Sequence, residues 1–296
     1  MDQGLQNKNC FHLAGIIPVA ASRSDFNIPG HDVFLPLAPH YSLIERSLAE
    51  CSYAGCESIW IVCNDDIAPL IKHRVGTSID DFSSIERGSY VKFPDEAKMS
   101  IPIYYVPIHP KHRDKIDCYS WSILHGANVA YWICRRLSRW AIPDRYYVSF
   151  PFGVYDPKLA NKNKKKISSK IPFYFSYETK TIADGELLGF TFDTEEWKRA
   201  RDVIKNNSKS YYPPLLGEEM PSRRLPVDER LKSRKYTLGE VFGGAPLLPS
   251  IINELEWFYD LTLWDKYSIL LSSEHGRTFM TRDPLPARGQ TERKKE

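Results

Sequence analysis

Apolar and polar positions along the chain alternate between continuous apolar runs and runs of helical period, the pattern of an α/β sheet protein. His12 to Ala20 is nearly all apolar, as a strand covered on both faces would be. After a polar loop over Ala21 to Asp32, a helix is expected from Tyr41-Ser42. Ser42 with Glu45 three residues later has the form of a capping box, and Leu43, Ile44, Ser47, Leu48, Cys51 and Ala54 fall on one helical face before the stop at Gly55. Glu57 to Cys63 is a second buried strand, followed by Asn64-Asp65-Asp66, where Asp65 is expected to cap the next helix. That helix runs over Ile67 to Gly76, with Pro69 in its first turn. These pieces make one βαβ unit.

Downstream, Tyr90 to Phe93 is a candidate short strand and Ile101 to Ile108 the third strand of the sheet, with the basic loop His109 to Lys115 at its C-terminal end. Ligands bind at that end of an open α/β sheet. Ser120 to Trp140 reads as a long amphipathic helix with Ile123, Ala127, Ala130, Tyr131, Cys134 and Leu137 on its apolar face. Arg145 to Phe150 is the fourth strand. Lys162 to Lys170, with five lysines in nine residues, reads as a solvated loop. Pro172 to Tyr177 and Leu188 to Phe192 read as a hairpin leaving the main sheet, and Asp193 to Ile204 as a helix. Ser208 to Lys235 is expected to be irregular, Leu248 to Leu255 helical, and Leu263 to Leu271 another helix. Residues 1–10 and 282–296 are expected to be flexible termini around a single domain over 11–275, with 172–235 as an insertion.

Composition changes this picture little. At 296 residues, with 42% apolar and 26% charged residues, the chain can bury a substantial core and has the balance of a globular protein without membrane spans. Forty basic against 37 acidic residues give a net charge of +3, too small to imply nucleic acid, and no aromatic residues interleave the lysines of 162–166 as a single-strand channel requires. Six cysteines without a CxxC pair argue against zinc, and the N-terminus has no basic segment followed by an apolar one, so a reducing cytoplasm is expected.

The order of the parts resembles the sugar-phosphate nucleotidyltransferases. The resemblance rests on Ala14 to Val19, Arg23, Pro29, Leu35-Pro36-Leu37, Leu43 to Leu48, and Ala54-Gly55-Cys56 to Val62. It also rests on Ser122 to Ala127, similar to the family's small-residue turn at the base, and on Trp257 to Tyr267, similar to its Trp-x-Asp-Ile-Gly-Thr-x-x-Asp-Tyr segment. It implies a three-layer α/β sandwich with a mostly parallel mixed sheet, of the nucleotide-diphospho-sugar transferase type. The implied reaction is attack of a sugar phosphate on the α-phosphorus of a nucleoside triphosphate, with release of pyrophosphate and help from Mg2+. On that resemblance Asp260 and Asp156 are the metal ligands, Arg23 stabilises the pyrophosphate, and Ala20, Ala21, Ser22, Ser122, His125 and Gly126 contact the nucleotide.

The chain departs from the family at three places. Ala20 to Arg23 contains no glycine to let backbone amides approach phosphates. His31-Asp32 stands where a phosphate-binding Lys is expected, and Phe150-Pro151-Phe152-Gly153 where the fourth strand should deliver Gly-Asp. A catalytically inactive descendant of the fold, acting as a binding or assembly protein, is the alternative reading. A glycosyltransferase of the A type is a weaker third, because Asp65-Asp66 is not Asp-x-Asp and none follows the fourth strand.

Overall fold

The computed structural model describes residues 11–20, 26, 30–82, 100–108, 118–214, 223–233, 235–243 and 249–280. Its centre is an eight-stranded sheet in the order Ile251–Glu254, Phe173–Ser176, Phe190–Phe192, Arg145–Val148, Leu13–Pro18, Ser58–Asn64, Ser100–Ile108 and Ser78–Asp80, and the short strands β2 (Pro36–Ala38) and β3 (Tyr41–Ser42) form a separate ribbon. The strands of the main sheet are β1 (Leu13–Pro18), β4 (Ser58–Asn64), β5 (Ser78–Asp80), β6 (Ser100–Ile108), β7 (Arg145–Val148), β9 (Phe173–Ser176), β10 (Phe190–Phe192) and β11 (Ile251–Glu254). β1 runs parallel to β4 and β7, and β4 parallel to β6, so the βαβ unit read from the sequence is the middle of the sheet. β5, β10 and the β10-β9 contact are antiparallel, while β11 is parallel to β9.

Alternate residues of β1 feed two cores. Ala14 and Ile16 face one with Trp60, Val62 and Tyr146, covered by the helix α3 (Tyr119–Leu137) through Ile123, Leu124 and Ala127. Leu13 and Ile17 face the other with Ile59, Ile61 and Tyr147, covered by α1 (Leu43–Ala54) through Ile44, Leu48 and Cys51. Helix, sheet and helix thus make three layers, as expected for this fold class.

α1 is bounded by local chemistry. The Ser42 amide and hydroxyl donate to Glu45 at 2.7 and 2.8 Å, and Gly55 takes the left-handed conformation (φ 87°) that closes the helix. Every residue of α1 is buried, not one face only, because the two short helices α4 (Lys158–Lys162) and α5 (Lys164–Ile167) pack on its outer side. The segment read as a solvated loop therefore folds: Ala160 and Ile167 point into the core at spacing seven, and Lys162, Lys165 and Lys166 stay in water.

Four further expectations are corrected. β9 and β10 belong to the main sheet, since β10 pairs with β7 through Phe190 to Phe192. Ile251–Glu254 is a strand, held to Phe173–Ser176 by parallel pairing that no local pattern announces. The helix α2 (Ala68–Val75) is capped by Ile67, so Asp65 lies in the turn ahead of it. The irregular 208–235 stretch contains α7 (Val227–Lys232) and a bridge between Tyr211 and Arg224. At its far end α3 stops at Leu137, which is exposed rather than packed. Tyr90 to Phe93, His109 to Lys115 and both termini lie outside the described residues. Among the described residues no helix is long and apolar enough to cross a membrane.

Candidate functional site

The chain reverses its winding direction at β1, whose neighbours β4 and β7 are reached by crossovers on opposite faces, and ligands bind beyond the strand C-termini at such a point. Beyond β7 the backbone turns at Phe150-Pro151-Phe152 into β8 (Gly153–Val154), which pairs antiparallel with β12 (Tyr259–Asp260), placing Asp260 opposite Gly153. Gly153 has no room for a side chain: a Cβ would collide with the Leu187 carbonyl.

A cleft of about 510 Å3 opens beside this ribbon. Its walls are Cys118 and Tyr119 at the start of α3, the Asp184-Gly185 turn, Thr237 at the start of the helix α8 (Leu238–Phe242), and Asp260 with Thr262. Both turns are set by capping: Thr181 with Asp184, and Thr237 with Glu240. Asp260 Oδ1 accepts the Thr262 amide at 3.0 Å, which fixes the carboxylate at the rim. Burial, with a smaller contribution from Glu240, pushes the Cys118 thiol up against the opposing effects of the Trp121, Tyr236 and Ser120 backbone amides, which favours its neutral form.

The residues singled out in the sequence fall into separate places. Asp260 is at the cleft. Asp156 is not among the cleft walls; it caps the turn into α4, accepting the Lys158 amide at 3.1 Å, next to Tyr155, which is buried on the α1 side. The Ala20 amide donates to the Val62 carbonyl at 2.9 Å and is committed to the sheet. Ser122 is buried in α3, and its hydroxyl finds no partner among the described residues. Gly126 brings α3 close to the sheet, since a Cβ there would stand 2.6 Å from Val62 Cγ2. The His125 ring stacks on Trp121 at 4.7 Å. Ala21, Ser22 and Arg23 lie outside the described residues.

Two departures noted in the sequence acquire a physical content. Phe150 and Phe152 are buried core residues, so the turn after β7 presents no carboxylate to the cleft. His31 Nδ1 accepts the Val33 amide at 3.2 Å, and burial lowers the ring's pKa against the opposing pull of Asp32 and Asp66, which keeps the ring neutral. A neutral ring that accepts a backbone N–H brings no positive charge to a phosphate.

Among solved structures, UDP-glucose pyrophosphorylase complexed with UDP-glucose is 11% identical and matches with a TM-score of 0.51 over 91% of this chain and 98% of that one. The fold is that of the nucleotide-diphospho-sugar transferases. A Bacillus anthracis protein assigned as a glucose-1-phosphate thymidylyltransferase, solved with sucrose, is 8% identical with a TM-score of 0.47 over 86% and 92% of the two chains. A protein of Mycobacterium tuberculosis H37Rv is 12% identical with a TM-score of 0.45 over 89% and 99%. No protein-family model matches the chain, and no curated protein matches it in sequence. At such identities the likeness is one of fold, and activity has to be argued from the site.

The transferase fold gives a test of the expected metal. Magnesium binds through one or two carboxylates and completes its shell with water and substrate phosphates. Among the described residues no three His, Cys, Asp or Glu side chains converge, and Asp260 is the carboxylate expected from the sequence that reaches the cleft. That donor set suits an ion carried in on phosphates and does not suit a resident metal caged by protein. Sequence reasoning did not find Thr237, Tyr236 or Asp184 as cleft walls. Their only local signal is capping chemistry, which reads as a turn.

Proposed function

We propose that the chain is a nucleotidyltransferase-like protein that transfers a nucleoside monophosphate from a nucleoside triphosphate to a sugar phosphate and releases pyrophosphate. The observation that carries the reading is Asp260, held opposite Gly153 at the rim of a cleft at the strand C-termini of this fold. In-line phosphoryl transfer asks little covalent chemistry of a protein; it needs positioning and neutralisation of charge. The neutral Cys118 wall is in keeping with direct attack by a substrate phosphate. Asp260 would hold the magnesium, which neutralises phosphate charge when bound. Arg23 would fork onto the pyrophosphate, since a guanidinium binds phosphate in a bidentate way. Ser122 and Gly126 serve the packing of α3 rather than the base. The five cysteines among the described residues are free and buried, in keeping with a reducing cytoplasm.

A second reading is favoured by Phe150 and Phe152, which occupy the turn where a second carboxylate belongs, and by the neutral His31. It is a binding or assembly protein that keeps the cleft without the transfer. Calorimetric titration of the four ribonucleoside triphosphates and dTTP, with and without magnesium, tests the first reading. Binding should tighten at least fivefold with magnesium and lose that dependence in Asp260→Ala. Silence across the panel refutes both readings as nucleotide sites. Metal-independent binding without pyrophosphate release on adding hexose 1-phosphates favours the second.

A further inference from the structure

A groove of about 230 Å3 lies between α3 and the helix α6 (Thr194–Asn207), apart from the cleft and sharing no wall residue with it. Its sides are Tyr131, Trp132 and Arg135 from α3 against Trp197, Lys198 and Arg201 from α6. Its floor is the small Ala127 and the ring of Tyr146, both buried. The Trp197 indole N–H donates to the Leu124 carbonyl at 3.0 Å, so this ring is fixed before anything binds.

Each arginine lies over an aromatic ring: Arg135 over Trp132 with its guanidinium carbon 5.2 Å from the ring centre, and Arg201 over Trp197 at the same distance. Neither is ion-paired to a carboxylate among the described residues, whereas Lys198 is paired with Glu195 at 2.7 Å. A guanidinium with no carboxylate partner has its N–H fork to offer an anion, and a fork of that shape matches phosphate oxygens. Between the cations are aromatic faces, with Asn128 and Thr194 as polar groups that can meet a ring edge. Aromatic walls, a few polar groups and two unpaired cations form a receptor for a flat ring that carries negative charge.

We propose that this groove is a second ligand site, for a planar heterocycle bearing a phosphate, of the size of a nucleoside monophosphate. The volume holds a base and sugar while leaving the phosphate at the rim with Arg135 and Arg201. The site stands independently of the transferase reading, because no residue of the Asp260 cleft takes part in it.

Metal-free calorimetry with AMP, GMP, CMP, UMP and inorganic phosphate on the full chain tests it. At least one monophosphate should bind, and more tightly than inorganic phosphate. The double variant Arg135→Ala/Arg201→Ala, two exposed side chains whose loss leaves the cores intact, should weaken that binding at least fivefold. Trp132→Ala, at a half-exposed ring, should weaken the monophosphate and not inorganic phosphate. Asp260→Ala should leave the affinity as it was, which separates this site from the cleft. The proposal is overturned if no monophosphate binds, if the double variant changes affinity less than fivefold, or if inorganic phosphate binds as tightly. A single-stranded oligonucleotide binding ten times more tightly than any monophosphate would also overturn it, in favour of a nucleic-acid surface.

Discussion

Removing the carboxylate of Glu50 should be among the most damaging single changes available to this chain. Glu50 is fully buried on α1 and accepts from Arg46 at 2.8 Å, Tyr147 at 2.5 Å, Ser149 at 2.7 Å and the Tyr155 hydroxyl. Burial alone would pull the Arg46 guanidinium's pKa down, but Glu50 and then the tyrosines Tyr155, Tyr41 and Tyr147 override it and the net direction is up. In Glu50→Ala the Arg46 charge stays buried, held only by the carbonyls of Phe150 at 3.1 Å and Tyr155 at 3.5 Å and by the Tyr155 ring. Stranding one member of a buried pair costs about 3–5 kcal/mol. Of the three hydroxyls that lose their acceptor, those of Tyr147 and Tyr155 lie 3.5 Å apart, so one can donate to the other; the second tyrosine O–H and that of Ser149 are stranded, at about 1–3 kcal/mol each. The expected loss is therefore about 5–11 kcal/mol, against a total stability on the order of 5–15 kcal/mol. Arg46→Met/Glu50→Met removes both charges together and should recover at least ~2 kcal/mol relative to Glu50→Ala. Urea unfolding followed by tryptophan fluorescence, with the slope checked for constancy, gives the three values. A loss below ~1 kcal/mol for Glu50→Ala, or a double variant weaker than the single, would refute the view that a buried charge pair locks this region.

Two further outcomes follow from single positions. Gly126→Ala would put a methyl 2.6 Å from Val62 Cγ2 and 3.2 Å from Ile16 Cγ2, so α3 must shift off the sheet; a loss of about 1–3 kcal/mol in the same unfolding assay is expected, and a neutral result would show that α3 moves freely. His31 has a folded pKa below its unfolded value of 6.5, so its contribution to stability is complete above pH 6.5 and is lost as pH falls through that value toward the folded pKa. His31→Asn keeps an acceptor for the Val33 amide and removes the titration. The variant's stability should fall less than the parent's between pH 7 and 5, and parallel curves would remove His31 from the account.

What the sequence made legible was whatever is settled within a few residues. The Ser42-Glu45 box and Gly55 bound α1 as expected because both act through neighbouring backbone groups. Arg46 and Glu50 escaped notice for the opposite reason. An Arg and a Glu four apart read as a solvated helix face, and only α4, α5 and β7 turn that face inward. Ile251 to Glu254 was misread because a short run with Ile252 and Glu254 exposed has no strong period, and its strand state comes from Phe173 to Ser176, far away in the chain. At the cleft, Asp260 was visible through the motif around it. The walls at Asp184 and Thr237 were not, because capped turns become walls only when tertiary packing brings them together. Trp132 and Arg135 likewise read as helix surface until α6 lay beside them.

The buried pair and the cleft are mechanically one structure. Arg46 holds the Phe150 carbonyl and Glu50 holds the hydroxyls of Tyr147, Ser149 and Tyr155, residues of β7, of the turn that follows it and of the position just after β8. Gly189, just before β10, closes the same network, since a Cβ there would lie 2.5 Å from the Tyr155 hydroxyl and 2.6 Å from that of Tyr147. Next along the chain, Gly153 pairs with Asp260. The position of the one carboxylate proposed for metal binding thus depends on a charge pair on the opposite face of the sheet. The resemblance read from the sequence puts a metal ligand in the turn after β7. Here the same turn is given to core packing by Phe150 and Phe152, and its Phe150 carbonyl is held by Arg46. With the Phe150 carbonyl held by Arg46 and Asp260 paired opposite Gly153, this wall of the cleft is set before anything binds, which is the preorganisation that the proposed nucleotide site calls for, whether or not transfer follows.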